Sequence, residues 1–219
     1  RGITAGDWLK DICINEYNMQ ADSFSFSYDK DLYTPKTKKD NIKRVFFYAR
    51  PVTPRRDFEL GLLALNELSK RIPDLEVIFA GWDVSTYEIP FKHQNLGIMR
   101  IEELSELYGK CDLCLVISNT NLSLLPLEVM ASGSVAVCSK GANSEWLVNE
   151  DNSILVSYDP IEIADTMYSY MIDSIKLDNI RKKGIEFAQN TSWDVEGKKV
   201  LEAVLKGIKE DEKCINNRG

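Results

Sequence analysis

The chain has 219 residues, 44% hydrophobic and 28% charged, which is an ordinary globular balance and long enough to bury a core. Its net charge of -7 argues against a nucleic-acid binder with a broad basic face, and leaves room for a local cluster of cations. No apolar run approaches the roughly 20 residues that span a bilayer, and Arg1 to Gly6 lacks the apolar stretch of a signal peptide, so a soluble cytoplasmic protein is expected.

In chain order, the first predicted element is a helix from Asp7 to Tyr17, where Trp8, Leu9, Ile12 and Tyr17 form a stripe. A polar run from Lys36 to Lys43 has the composition of a linker. Val45 to Ala49 is a continuous apolar run, as expected of a strand buried on both faces. Asp57 to Arg71 is predicted helical, with Phe58, Leu62, Leu65 and Leu68 on one face. Strands are predicted at Leu75–Ala80, Leu96–Ile98, Leu113–Ile117, Val135–Cys138 and Ile154–Ser157. The helices between them fall at Glu102–Tyr108, Pro126–Ala131 and Ser144–Val148. Three helices follow: Pro160–Asp173, Leu177–Gln189 and Trp193–Lys209. This alternation predicts an α/β fold, a Rossmann-like parallel sheet with helices on both faces. Such sheets bind ligands beyond the carboxyl ends of their strands, so the segments after Ala49, Ala80, Ile98, Ile117 and Cys138 are the places to search.

Three of these segments could carry chemistry. Arg50-Pro51-Val52-Thr53-Pro54-Arg55-Arg56-Asp57 joins a buried strand to a helix and holds three arginines, which could form an anion site or be ordinary surface charges. Ser118 to Glu128 is a small polar loop opening a helix whose free N–H groups can hold phosphate oxygens. Glu128, in the first turn, could complement the helix dipole or accept hydrogen bonds from ribose hydroxyls. Ser139-Lys140-Gly141-Ala142-Asn143-Ser144 either lets the backbone at Gly141 approach a ligand or is a plain turn with Asn143 as N-cap.

Other motifs carry less. The five cysteines, Cys13, Cys111, Cys114, Cys138 and Cys214, do not form a disulfide framework. Cys111-Asp112-Leu113-Cys114 leads into a buried strand, unlike redox pairs at helix N-termini, and reads as small buried side chains. His93, the single histidine, reads as a loop side chain. Asp29-Lys30-Asp31 has the form of a metal-binding pair but precedes a linker and not a strand end. No glycine-rich dinucleotide fingerprint follows any strand, which argues against an oxidoreductase.

Taken together, the segments resemble the C-terminal domain of GT-B glycosyltransferases of the retaining family 4, group 1 type. Leu124-Leu125-Pro126-Leu127-Glu128-Val129-Met130-Ala131-Ser132-Gly133 followed by Ser134-Val135-Ala136-Val137 is similar to that family's glutamate motif and the strand after it. Phe47-Tyr48-Ala49-Arg50-Pro51-Val52-Thr53-Pro54-Arg55-Arg56 resembles bacterial rhamnosyltransferases that use dTDP-rhamnose in surface-glycan assembly, as does Asp29-x-Asp31-x-Tyr33-x-Pro35 upstream. The resemblance implies three parts. Residues 1–43 would be the connector and tail of an N-terminal domain lying before residue 1, residues 44–190 the nucleotide-sugar domain, and residues 191–219 a C-terminal helix and tail. That helix would reach toward the N-terminal domain and be loosely held on its own.

The resemblance also implies roles. The donor would be a dTDP- or UDP-linked sugar, with no cofactor and no metal. Gly97, Ile98 and Met99 would face the base, and Glu128 the ribose. Arg50, Arg56 and the N–H groups around Pro126, Leu127 and Glu128 would stabilise the diphosphate. The family pattern has an earlier glutamate, which falls here at Thr120, so Ser123, Asn119 or Thr120 itself would substitute. A glycan or lipid-linked acceptor would be held by the N-terminal domain, and the full-length enzyme would associate peripherally with the inner face of the membrane. The alternative implied by Thr120 is a catalytically silent nucleotide-sugar-binding or scaffold module.

Overall fold

The computed structural model describes the backbone of residues 1–216 and the side chains of residues 1–210. Its strands are β1 (Gly2–Ala5), β2 (Ala21–Phe24), β3 (Arg44–Tyr48), β4 (Glu76–Ala80), β5 (His93–Asn95), β6 (Leu113–Val116), β7 (Val135–Ser139) and β8 (Ile154–Val156). Its helices are α1 (Asp7–Asn15), α2 (Phe58–Arg71), α3 (Ile101–Lys110), α4 (Leu125–Ala131), α5 (Ala142–Glu145), α6 (Pro160–Ile172), α7 (Ser174–Gln189) and α8 (Trp193–Asn216).

Two compact units are present, one of residues 28–190 and one that combines residues 1–27 with 191–219. The segment expected as a connector over residues 1–43 is thus divided between them. In the smaller unit β1 and β2 pair in parallel, with α1 and α8 packed on them. Neither strand is legible in the sequence, because Gly2-Ile3-Thr4-Ala5 and Ala21-Asp22-Ser23-Phe24 show no run of large apolar residues. α8 is held along one side. Buried Glu196 accepts from the Ser25 N–H at 2.6 Å, and Trp193 lies 6.3 Å from the Phe26 ring.

The larger unit is built on a six-stranded parallel sheet in the order β5-β4-β3-β6-β7-β8. β3, β4, β6 and β7 are apolar on both faces because helices cover both, and Val45, Phe46, Val77, Phe79, Leu113, Leu115, Val135 and Val137 are all buried. The main core joins one face of the sheet to α2 and α6 through Phe58, Leu65, Leu68, Ile163 and Met167. Asp159 caps α6 by accepting from the N–H groups of Ile161 and Glu162, and Pro160 opens the helix where it needs no donor.

One predicted strand is misplaced. Leu96–Ile98 is a loop, with Gly97 at φ +59, and the strand is His93–Asn95, which pairs with Val77–Phe79. His93 is therefore a strand residue and not a loop residue. Its polar sequence escapes the periodicity test because β5 is an edge with little to bury.

Candidate functional site

The order of the sheet fixes where a site can form. After β3 the chain winds toward β5, and from β6 it winds the other way toward β8, so β3 and β6 flank the switch point. The two loops leaving those strands, 49–57 and 117–124, therefore face each other. They are joined directly. The Asn119 N–H donates to the Arg55 carbonyl at 2.9 Å, and Arg55 Nη1 donates to Thr120 Oγ1 at 3.4 Å.

The first loop closes on a single 3-10 turn, Pro54–Arg56, with Asp57 in the left-handed region at φ +45. This turn drives Arg56 inward. Arg56 is 7% exposed, and its Nη1 finds no hydrogen-bond partner among the described residues. Burial disfavours its charge, and the neighbouring Arg55 and Arg50 oppose it further, so its pKa is lowered. Arg50 turns back toward β3, where its Nε donates to the Tyr48 hydroxyl at 2.9 Å. None of the three arginines is paired with a carboxylate among the described residues. In an acidic protein, three clustered cations without counter-charges form a strong local attraction for an anion.

Beside Arg50 lies a cavity of about 320 Å³, lined by Phe46, Tyr48, Ala80, Gly81, Ile98 and Met99 among others. Gly81 is the lining residue whose backbone is most constrained. At φ +104, with the Tyr48 ring 2.4 Å from where a Cβ would stand, only glycine lets that ring lie across the end of β4. The Gly81 N–H donates to the Gly97 carbonyl at 2.7 Å, which fixes the loop carrying Ile98, itself 84% exposed. Gly97, Ile98 and Met99 are thus brought to the same end of the sheet as Arg50.

The second loop is tied down from behind. The Ser118 carbonyl accepts from Asn143 Nδ2 at 2.7 Å, Ser139 Oγ at 3.1 Å and the Tyr158 hydroxyl at 3.2 Å, and Asn143 Nδ2 also reaches the Thr120 carbonyl at 2.9 Å. Asn143 is not the N-cap of α5. Gly141 holds that position, and Asn143 spends its amide on the loop.

The helix N-terminus differs from expectation as well. α4 begins at Leu125, and the N–H groups of Leu127 and Glu128 both turn back onto the Leu124 carbonyl, at 3.0 and 3.1 Å. Pro126 has no N–H to give. Pro126 and Leu127 are buried, so the backbone cradle for phosphate expected at these three residues is absent. Ser123 Oγ accepts from the Leu125 N–H at 3.4 Å and helps shape the turn.

Glu128 is half-buried at the start of α4. Burial pushes its carboxyl up to about 7, and Tyr33 opposes that shift. Tyr33 comes from the segment before β3 and is an addition to the residues expected at the site. Its sequence signal is Asp29-x-Asp31-x-Tyr33, which reads only as a connector without the fold. Asp29 Oδ1 accepts from the N–H groups of Asp31 and Leu32, so this acid shapes a turn, and no group of side chains able to hold a metal is found among the described residues. Cys111 and Cys114 are buried, in keeping with their place at the start of a strand. No helix among the described residues is long and apolar enough to cross a membrane.

A parallel sheet with a switch point, flanked by helices on both faces, is the fold of the C-terminal domain of GT-B glycosyltransferases. The chain belongs to the family described as WsaF, C-terminal domain, whose model matches residues 43–168. It is 30% identical over 211 residues to the O-antigen biosynthesis protein RfbC of Myxococcus xanthus, a match covering 93% of this chain and 16% of that protein. The chain thus spans a small part of that relative's length.

Solved structures share the fold at low identity. Sucrose-phosphate synthase from Thermosynechococcus elongatus aligns with a TM-score of 0.77 and 15% identity, over 95% of this chain and 58% of that one. HepE of Anabaena, in complex with UDP and glucose, aligns with a TM-score of 0.75 and 16% identity, over 93% and 62%. The C-terminal domain of the group 1 glycosyltransferase LpcC from Francisella tularensis gives 0.62 and 16%, over 75% and 98%.

Proposed function

We propose that this chain is the donor-binding domain of a glycosyltransferase and holds a nucleoside diphosphate sugar at the switch point between β3 and β6. The observation that carries the reading is Arg56, whose buried guanidinium lacks a partner on Nη1 and stands beside two further arginines that have no carboxylate partner among the described residues. A diphosphate is the ligand whose charge offsets such a cluster. Arg50 and Arg56 would stabilise the charge that develops on the leaving group as the sugar departs, and in this reading the cations do so without a metal. Glu128 accepts from the ribose, and the cavity at Gly97, Ile98 and Met99 takes the base. HepE, a structural neighbour of the same fold, is described in complex with UDP and glucose, which supports the class of ligand.

The finer reading is transfer of a hexosyl residue, rhamnosyl from dTDP-rhamnose, onto a bacterial surface glycan, with the acceptor held by an N-terminal domain. The name of the Myxococcus relative, an O-antigen biosynthesis protein, supports the glycan class. Isothermal titration of the chain with UDP and dTDP, with and without EDTA, tests the core of it. Binding that resists EDTA and is weakened by Arg56→Ala and Glu128→Ala is expected. A folded chain that binds neither nucleotide would overturn the reading.

Thr120 favours a second reading. Its hydroxyl is turned to Arg55, and residues 118–124 contain no acid to face a sugar. On that basis the chain would bind the nucleotide sugar as a silent sensor or scaffold module. Nucleotide binding without transfer by the full-length protein would select it.

A further inference from the structure

The pleat of β3 runs one step beyond its last residue. The Ala49 N–H donates to the Ala80 carbonyl at 2.9 Å, which continues the pairing of β3 with β4 past Tyr48. Side chains two apart on a pleat share a face. Tyr48 and Arg50 therefore emerge on the same side of the sheet, where both line the cavity of about 320 Å³ at its end. Ala49, between them, is buried in the main core on the other side.

The Tyr48 ring is held against the end of β4. Its Cε2 and Cδ2 lie 2.4 and 2.8 Å from where a Cβ of Gly81 would stand, so the ring occupies the space that any other residue at position 81 would fill. A ring seated in this way has its hydroxyl at a fixed point. That hydroxyl accepts from Arg50 Nε at 2.9 Å, and the Arg50 guanidinium carbon lies 5.5 Å from the ring centroid. A phenylalanine would fill the same space over Gly81. What the phenol adds is the hydrogen bond to Arg50.

A guanidinium carries five N–H donors in one plane. It meets a phosphate either side-on, through Nε and one Nη, or end-on, through Nη1 and Nη2. With Nε engaged by Tyr48, the end-on fork is the one left, and neither Nη of Arg50 is hydrogen-bonded among the described residues. Arg50 also stands close enough to Arg56 for the two charges to oppose each other, so an untethered Arg50 would swing away toward solvent. We propose that Tyr48 is a positioning residue of the donor site, whose hydroxyl, fixed over Gly81, holds Arg50 by Nε and presents both terminal nitrogens of that guanidinium end-on to the diphosphate of a nucleotide sugar. The inference rests on the donor-binding reading above. It adds to that reading a residue that acts through Arg50 and does not itself meet the diphosphate.

The test combines calorimetry and NMR on the wild-type chain, Tyr48→Phe, Arg50→Met and the double variant, with UDP, or dTDP if that is the nucleotide bound, and with inorganic pyrophosphate and the free nucleoside as controls. Tyr48→Phe keeps the ring over Gly81, so the fold is retained. It should weaken nucleotide binding roughly three- to tenfold, the range of one hydrogen bond. Pyrophosphate binding should weaken by the same factor and nucleoside binding should not change, because the loss lies at the diphosphate. In the Arg50→Met background the Tyr48 substitution should have no further effect. In the unliganded wild type the Arg50 Nε–H signal, assigned by its absence from Arg50→Met, should be protected from exchange with water, and Tyr48→Phe should remove that protection. A tyrosine that only packs would move nucleoside and nucleotide affinity together and leave the Nε–H signal as it was. Unchanged nucleotide affinity in Tyr48→Phe, an equal loss for the nucleoside, the same loss in the Arg50→Met background, or an unaltered Nε–H signal overturns the inference and leaves the donor-binding reading standing. A wild-type chain that binds neither nucleotide overturns both.

Discussion

Asn143 donates to the Ser118 carbonyl across two different strand-end loops, at 2.7 Å, and reaches the Thr120 carbonyl at 2.9 Å from the same nitrogen. Residues 118–124, which follow β6, have no regular structure to hold them, so this amide stands in for a ladder. The arrangement couples the rigidity of residues 118–121 to a residue on the loop after β7.

Asn143→Ala should therefore cost about 1–2 kcal/mol of stability, since two carbonyls lose one shared donor. It should weaken nucleotide binding as well by loosening residues 118–121. Urea denaturation and calorimetry on the same sample check both. A stable variant with unchanged affinity would show that Ser139 and Tyr158 hold the loop without it.

Arg56→Met should separate stability from binding. Arg56 is a buried cation with an unpartnered nitrogen and two like charges nearby, so an apolar side chain of similar length should leave stability unchanged or raise it by about 1 kcal/mol. UDP affinity should fall about tenfold or more, because a charge-assisted contact to the diphosphate is lost. Uridine, which lacks the diphosphate, should bind both proteins alike. A destabilised Met variant would mean that the guanidinium is satisfied in the unliganded protein.

What can be read from the sequence and what cannot divides along physical lines. β3, β4, β6 and β7 are legible because a strand buried on both faces must be apolar at every position, and Val45-Phe46-Phe47 or Leu113-Cys114-Leu115 shows that directly. The arginines of the first loop are legible by their place after such a strand. β5 is not legible, because His93-Gln94-Asn95 pairs along an edge where the ladder, and not burial, makes the strand. The partner of Asn143 is not legible because a local N-cap and a distant loop carbonyl ask for the same amide, and only the fold decides between them. Tyr33 lies 95 positions before Glu128, and nothing in their separate surroundings links the two.

Glu128 gives a pH signature of its own. Its carboxyl is raised in the folded chain from an ordinary 4.5 to about 7, so between those values the folded state binds a proton that the unfolded state has released. Its contribution to stability is therefore fully present below 4.5 and is lost as pH rises through 7. After allowance for its partial exposure the loss is on the order of 2 kcal/mol. Glu128→Gln, neutral at every pH, should lack this slope. Denaturation of both proteins at intervals across that window measures it, and parallel curves would show that Glu128 ionises normally.

Gly133→Ala tests how the segment that carries Tyr33 is held. The residue sits at φ +92, where a Cβ is strained in itself, and that Cβ would stand 2.9 Å from the Lys36 carbonyl oxygen, which is backbone and cannot turn aside. The expected cost is about 2–3 kcal/mol, from the strained φ together with displacement of the Lys36 to Ser132 hydrogen bond. The displacement should reach Tyr33 and its stacking on Tyr108 through the short segment between them, so nucleotide affinity is expected to fall in the folded fraction. Thermal unfolding gives the first quantity and titration at a temperature well below the melting point gives the second. A melting temperature equal to that of the wild type would mean that residues 34–36 can move off α4 at no cost, and the segment would then have to be held by the hydrogen bonds between Thr34 and Ser105 alone.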